Sequence, residues 1–168
     1  MKITFLGTGT SHGVPSIDCM INDFRSCPQG VCKLSETDPG HDRTRSSILV
    51  EWDGFSLLID VSADFRQQVL REKVKKIDSV LITHGHADHV TGIPDIRSYT
   101  REKPIPLYGS EESIDMISKS YSYVFEYPPC TGGGIPQLIT EKVDSPFYIS
   151  GQKIIPVLVG HGDLKGCF

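Results

Sequence analysis

The sequence predicts a mixed domain of the α/β (α+β) class. Strand-like apolar runs alternate with amphipathic helical segments along the 168 residues, in an order of hairpins and helical crossovers. Apolar residues make up 38% of the chain and charged residues 23%, which is typical of a globular protein with a core. A chain of this length forms one ordinary domain, so residues 1–168 are predicted to be a single domain.

Short apolar runs predict the strands, and apolar side chains repeating at helical spacing predict the helices. The predicted strands span residues 2–6, 46–52, 55–60, 78–83, 104–108, 137–142, 146–149 and 152–159, with a last strand from about residue 165. The predicted helices span residues 62–76, 94–101 and 111–121, the last with Ser110 as its N-cap. Asp53–Gly54 predicts a tight hairpin turn, and residues 12–44 and 127–134 are predicted loops.

Charge and hydropathy exclude several classes of protein. Lys and Arg total 17 against 21 Asp and Glu, a net charge of −4, which argues against broad contact with a nucleic-acid backbone. The longest apolar run, residues 154–159, is far shorter than the ~18 residues of a membrane span. No secretion signal is apparent, so we expect a cytoplasmic protein whose five cysteines are thiols or metal ligands.

A cluster of metal-ligand residues follows the predicted strand 78–83. It contains His84, His86, Asp88 and His89. Residues two apart on an extended segment point the same way, so His84 and His86 are predicted to converge on one ion, with Asp88 and His89 on a second. Two ions ~3.5–4 Å apart activate a water molecule and supply hydroxide at neutral pH. The alternative is a polar surface loop, which this density of histidine disfavours.

These residues carry a resemblance to a known family. The pattern His-x-His-x-Asp-His after a strand resembles the signature of the metallo-β-lactamase-fold hydrolases. The opening segment, residues 4–15, is similar to the branch that contains the phosphoribosyl cyclic phosphodiesterase of phosphonate metabolism; the tRNA 3′-processing endonucleases are more distant. The segments 57–60 and 64–66 are similar to the second strand and helix of that branch. The resemblance implies a metallo-β-lactamase-type α/β/β/α sandwich with its metals at one edge.

The resemblance also implies roles for individual residues. His84, His86 and His161 would hold the first metal, and Asp88 and His89 the second. Asp60 would orient the metal loop (residues 83–89), and Asp60 and Asp88 are the candidate catalytic residues. From local sequence alone, His161 fits a turn equally well, and Asp60 fits a cap of the following helix. The family's bridging aspartate and last metal histidine lie further along, so we expect residues 1–168 to be the N-terminal part of the sandwich.

Three cysteines lie in the predicted loop 12–44. A loop this long usually has a function of its own or is held together by a crosslink. The related phosphodiesterase binds a structural zinc with cysteines in this loop, which implies the same for Cys19, Cys27 and Cys32, with His41 available as a fourth ligand. Here the cysteine spacing is looser, and ordinary reduced thiols are the alternative. Cys130 and Cys167 are predicted to be packing residues.

The glycines after the first strand do not form a dinucleotide-binding turn. Their spacing is one residue too long, and a helix does not follow. A glycine-permitted turn is one interpretation, and a substrate-binding loop containing Thr10, Ser11 and His12 is the other. Arg43 and Arg45 are predicted to be solvated, with a phosphate contact as the alternative.

The predicted function is metal-dependent hydrolysis of a small cyclic or nucleotide-like phosphodiester by a metal-bound hydroxide. We expect two Zn²⁺ ions, with Mn²⁺ as the second choice, and a homo-oligomer without membrane association. The alternatives are an RNA-processing nuclease of the same fold and a catalytically incomplete zinc-binding domain. The net charge of −4 counts against the nuclease.

Overall fold

The computed structural model describes residues 1–25, 27–125, 134–162 and 164–168. Within them the strands are β1 (Lys2–Gly7), β2 (Ser47–Trp52), β3 (Phe55–Ile59), β4 (Ser79–Leu81), β5 (Ile105–Gly109), β6 (Leu138–Lys142), β7 (Phe147–Ile149), β8 (Gln152–Ile154), β9 (Val159–His161) and β10 (Leu164–Cys167). The helices are α1 (Ile17–Ile21), α2 (Val31–Leu34), α3 (Phe65–Arg71), α4 (Ala87–Val90), α5 (Glu111–Ser120) and α6 (Ser122–Phe125). Short 3₁₀ helices span Pro39–His41 and Ile93–Ser98.

Six strands form one mixed sheet in the order β1-β2-β3-β4-β5-β6. The first three strands are antiparallel, and β3 to β6 are parallel. The β2–β3 hairpin turns at Asp53–Gly54, and both residues have positive φ, as a two-residue hairpin turn requires. Because β1 and β3 each run antiparallel to β2, the ends of β1, β3 and β4 lie at the same edge of the sheet. This edge positions the candidate site.

Both faces of the sheet carry apolar side chains, which alternate along each strand. Leu58 and Val80 lie on one face, in a core that also contains Phe65 of α3 and Ile117 of α5. Their neighbours on the opposite face pack in a second cluster with the β7–β8 hairpin; its buried members are Trp52, Leu57, Leu81 and Ile149. Parallel strands covered on both faces produce this pattern. The mixed α/β fold is therefore confirmed, with a helical layer on one face of the sheet and strands on the other.

Several predicted boundaries were wrong for local reasons. The predicted helix 62–76 is only Phe65–Arg71. The residues before Phe65 do not join the helix, because the Val61 N–H donates to the His89 carbonyl. Lys73, with a φ of 54°, then ends the helix in the left-handed conformation. The predicted strand 152–159 breaks into β8 and β9 around Pro156, which cannot donate to a strand ladder.

The other predicted elements have mixed outcomes. Ser110 is confirmed as the N-cap of α5, since its Oγ accepts from the Ser113 N–H at 3.2 Å. The predicted loop 12–44 contains α1, α2 and a 3₁₀ helix, so it is less irregular than predicted. The predicted helix 94–101 is the 3₁₀ helix Ile93–Ser98. Residues 127–133 of the second predicted loop, including Cys130, lie outside the described residues.

None of the helices in the described ranges has both the length and the apolar character needed to cross a bilayer.

Replacing Gly7 with alanine should destabilise the fold. A Cβ at this position would overlap the Arg45 carbonyl oxygen and stand 2.5 Å from Nε2 of buried Gln68. We expect the free energy of unfolding to fall by about 1–3 kcal/mol, the usual cost of overpacking, as measured by urea titration. Gly160→Ala is the control, because nothing lies within 4 Å of its added Cβ. Equal stability of the two variants would contradict the close approach at Gly7.

Candidate metal centre

The candidate site lies at the sheet edge where β3 and β4 end. Asp60 directly follows β3, and Thr83 and His84 come shortly after β4. His161 is the last residue of β9, which pairs with β10. The hairpin is joined to the metal loop because the Phe168 N–H donates to the Thr83 carbonyl at 3.1 Å. Residues far apart in sequence therefore meet at one edge.

Three histidines form a compact group here. One ligand atom from each of His84, His86 and His161 lies within 4.8 Å of the others. Nε2 of His161 is 3.2 Å from Nδ1 of His86, and the His84 ring centroid is 4.8 Å from that of His86. His84 is buried, whereas His86 and His161 are more exposed. The group is therefore anchored in the protein at His84 and open to solvent at His86 and His161.

The spacing of these nitrogens fits a divalent metal. A tetrahedral ion with nitrogens at about 2.0–2.1 Å places its ligand atoms roughly 3.3 Å apart. The 3.2 Å separation between His161 Nε2 and His86 Nδ1 matches this edge length. Imidazole nitrogen is also a preferred ligand for zinc. His86 and His161 therefore already have the spacing that such an ion requires, and a ligand nitrogen of His84 lies within 4.8 Å of both.

Asp88 and His89 form a second pair of donors on α4. The Asp88 Oδ2 is 3.2 Å from Nε2 of His89. The His89 ring lies beside the triad, with its centroid 4.0 Å from that of His84. Nδ1 of His89 contacts Oδ2 of Asp60 at 2.7 Å. In this arrangement His89 lies between two carboxylates, and its Nε2 and Asp88 face the same space.

The two neighbouring histidines titrate in opposite directions. Burial, together with the charge of His89, lowers the pKa of His84 from 6.5 to about 4. For His89, burial opposes the charged form, but the hydrogen bond and charge of Asp60, with Asp88, outweigh it and raise the pKa. His84 is therefore a free base at neutral pH, whereas the neighbouring carboxylates raise the pKa of His89 above its ordinary value.

The Asp60 carboxylate holds the metal loop in place through hydrogen bonds. Its side chain is buried, Oδ1 accepts from the Thr83 N–H at 2.8 Å, and Oδ2 accepts from the Thr83 hydroxyl at 2.8 Å. The predicted alternative, a cap for the following helix, was wrong, because Asp64 is the N-cap of α3 and makes no side-chain cap bond. The Asp60 carboxylate points to Thr83 and His89, so it positions the loop.

The sequence did not predict a buried polar network beside this loop. Gln68 of α3 is fully buried; its Nε2 donates to the Arg45 carbonyl at 2.8 Å, and its Oε1 accepts from the Ser62 hydroxyl at 3.3 Å. Arg45 was predicted to be solvated, yet its guanidinium pairs with Asp64 at 3.1 Å and donates to the Ser11 carbonyl at 2.8 Å. The one feature of the sequence that indicates this network is a glutamine among the apolar residues of α3.

The candidate substrate loop lies at the same sheet edge but apart from the triad. Thr10, Ser11 and His12 follow β1 and are exposed. The His12 side chain is beside Asp18, with Nδ1 3.8 Å from Oδ2. Among the described residues, the structure does not bring these side chains into the histidine group.

The three loop cysteines do come together. One ligand atom from each of Cys19, Cys27 and Cys32 lies within 4.8 Å of the others, and Cys19 and Cys32 are buried. A backbone hydrogen bond from Cys32 contributes most to lowering the pKa of Cys27. Among the described residues, His41 is not part of this group; its Nε2 lies 3.5 Å from Oδ2 of Asp38. Cys167 is buried at 2% exposure, as predicted for a packing residue.

A mixed sheet with a His-x-His-x-Asp-His loop at its edge, and a fourth histidine on a later hairpin, defines a metallo-β-lactamase-type fold. The chain belongs to this class: the family model for a beta-lactamase superfamily domain matches residues 56–165. It is 36% identical over 166 residues to an octanoyltransferase of Porphyromonas gingivalis, covering 98% of this chain and 32% of that protein.

Solved structures agree with the family assignment. The crystal structure of a diphosphatase from the PhnP family is 36% identical with a TM-score of 0.78, covering 98% of this chain and 60% of that one. Zn²⁺-bound PqqB from Methylobacterium extorquens is 26% identical with a TM-score of 0.65, covering 88% of this chain and 48% of that one. The chain thus spans a third to three-fifths of the length of these proteins.

The opposite pKa shifts predict distinct titrations in the metal-free chain. His84 should take up a proton only near pH 4, and His89 should titrate above 6.5. Since unfolded His84 takes up its proton near 6.5, its contribution to the free energy of unfolding falls as the pH drops from 6.5 to about 4. The contribution of His89 is present below 6.5 and is lost as the pH rises through its folded-state pKa. NMR titration of the two imidazoles checks both, and a His84 midpoint near 6.5 would contradict its burial.

Proposed function

We propose that the protein is a metal-dependent hydrolase whose substrate is a small cyclic or nucleotide-like phosphodiester. The observation that carries this proposal is the histidine triad with the Asp88–His89 pair directly beside it. Membership of the beta-lactamase superfamily supports it, as does the likeness to a diphosphatase over 98% of this chain.

The triad would hold one divalent cation, and Asp88 with His89 would hold a second. When bound, such ions lower the pKa of water and neutralise charge on phosphoryl oxygens. The imidazole-rich triad favours Zn²⁺, whereas the carboxylate at the second pair also suits Mn²⁺. The Zn²⁺-bound state of the related PqqB structure supports zinc as the first choice.

The chain's own residues prepare this site in three ways. Burial keeps His84 unprotonated at neutral pH, so its ring is ready as a neutral ligand. Asp60 fixes the loop through Thr83 and His89. The more exposed side chains of His86 and His161 leave an approach for substrate. We assign substrate contacts to Thr10, Ser11 and His12, because their loop follows β1 at the same edge.

A small substrate is favoured over RNA on electrostatic grounds. The net charge of −4 provides no general attraction for a polyanion. A phosphodiester of one or two nucleotides needs only local neutralisation of charge, which a pair of cations supplies.

Removing a triad ligand should abolish hydrolysis while preserving the fold. We expect His86→Ala and His161→Ala to lose zinc and to hydrolyse bis(p-nitrophenyl) phosphate at least ~100-fold more slowly, beyond the usual effect of a supporting residue. The circular dichroism spectrum should be unchanged, since both side chains lie at the solvent side of the site. His41→Ala is the control, because this histidine contacts Asp38 away from the triad.

Two results would count against this proposal. Zinc content and rate unchanged in both triad variants would exclude the triad as the metal site. Zinc-loaded protein that cleaves precursor tRNA and leaves small phosphodiesters intact would favour the RNA-processing alternative.

We also propose that Cys19, Cys27 and Cys32 hold a structural zinc. Their three sulfurs are already grouped, and thiolates suit tetrahedral zinc. The segment they join has little core of its own, with Ile17, Met20 and Ile21 all exposed. A metal crosslink would therefore stabilise this segment.

Cys27→Ser should destabilise the loop and leave the histidine site intact. We expect a lower thermal midpoint and faster proteolysis within residues 12–44, because one ligand of the crosslink is lost. Zinc analysis of a variant lacking His84 and His86, compared with the same variant carrying Cys27→Ser, measures the zinc held by the cysteines. As a control, chelator treatment should remove the stability difference between wild type and Cys27→Ser. Absence of zinc in the His84/His86 variant would instead indicate reduced thiols.

A further inference from the structure

Thr83 begins the metal loop, directly before His84. Its N–H donates to Oδ1 of Asp60 at 2.8 Å, and its carbonyl accepts from the Phe168 N–H at 3.1 Å. The backbone of this residue is thereby fixed from two sides. Its hydroxyl is held in one place relative to the adjacent histidine rings.

The hydrogen bonds of the Thr83 hydroxyl have only one consistent direction. Its Oγ1 is 2.8 Å from Oδ2 of Asp60, 3.1 Å from Nδ1 of His84 and 3.5 Å from Nδ1 of His89. A hydroxyl has a single hydrogen, and a carboxylate only accepts. The hydrogen therefore goes to Asp60, and Oγ1 accepts a hydrogen from His84. This requires that His84 carry its proton on Nδ1.

The same carboxylate oxygen determines the neighbouring ring directly. Nδ1 of His89 is 2.7 Å from Oδ2 of Asp60, so it also carries a hydrogen. Asp60 thus acts on His89 by contact and on His84 through the threonine hydroxyl. In both rings Nε2 is the remaining nitrogen.

We propose that Thr83 is a positioning residue that holds His84 as the Nδ1–H tautomer, which leaves Nε2 free for the cation site. The hydrogen bond does two things: it fixes the rotation of the ring, and it reserves one nitrogen for the metal. This rests on the proposed metal binding for its function, but the tautomer itself is a property of the metal-free chain. A hydrogen bond to the nitrogen that does not bind metal commonly orients such ligands.

The experiment compares Thr83→Val, which keeps the shape and removes the hydroxyl, with Thr83→Ser, which keeps the hydroxyl. Long-range ¹H–¹⁵N spectra of the metal-free chain report which nitrogen of His84 is protonated. Wild type and Thr83→Ser should show Nδ1–H, and Thr83→Val should show a mixture or Nε2–H. Zinc affinity, measured by competition with a chelator, should fall about 10–100-fold in Thr83→Val and be restored in Thr83→Ser.

Thr140→Val provides a matched control, because Thr140 is exposed on β6. It should change neither the His84 tautomer nor zinc affinity. A general loss of packing in Thr83→Val would be visible as a lower thermal midpoint and would affect all histidine signals. Selective change at His84 is the signature of the proposed role.

Each result separates this proposal from the proposed function. Wild-type His84 protonated on Nε2 would overturn the role of Thr83 without any variant, even if Thr83→Val fails to fold. Unchanged tautomer and affinity in Thr83→Val would overturn it as well. If wild type shows Nδ1–H but binds no zinc at the triad, the tautomer assignment stands and the proposed function fails.

Discussion

The buried carboxylate of Asp60 is the constraint on which the candidate site depends. It accepts hydrogen bonds from the Thr83 N–H, the Thr83 hydroxyl and His89. Its backbone has a φ of 60°, a left-handed conformation that costs energy in a residue other than glycine. The Ser47 hydroxyl donates to its carbonyl at 2.9 Å, and its own N–H donates to Leu81. Surrounding hydrogen bonds therefore hold Asp60 in a conformation that directs its side chain under the metal loop.

Sheet topology brings this carboxylate to its partners. β3 and β4 are parallel neighbours, so the residues after their ends emerge side by side. The glycine loop after β1 reaches the same edge, where Gln68 and Arg45 connect it to the start of α3. An isolated buried amide would be costly, but Gln68 has partners at both of its polar atoms. Two hydrogen-bonded networks, one around Asp60 and one around Gln68, therefore lie at the ends of three strands.

The sequence predicted those features that depend on neighbours along the chain. Alternating apolar residues predicted the sheet, and the spacing of His84, His86, Asp88 and His89 predicted their grouping. The role of Thr83 depends on Asp60, 23 residues away. The Arg45–Asp64 ion pair spans 19 residues. The pattern of neighbouring residues predicts neither this ion pair nor the contact between Thr83 and Asp60. Helices α1 and α2 escaped prediction because they have four or five residues and almost no buried face.

The histidine triad and the Asp88–His89 pair differ in how strongly the surroundings of His84 and His89 favour a protonated imidazole. At neutral pH the triad residue His84 is already a free base, because burial and the nearby His89 disfavour its charged form. For His89, burial opposes the charged form, but the hydrogen bond and charge of Asp60, with Asp88, outweigh it and raise its pKa. Ligands must be deprotonated to bind metal, so the carboxylates that raise the pKa of His89 oppose the loss of its proton to a cation. The surroundings of the two rings therefore favour His84 over His89 as a ligand for a first cation.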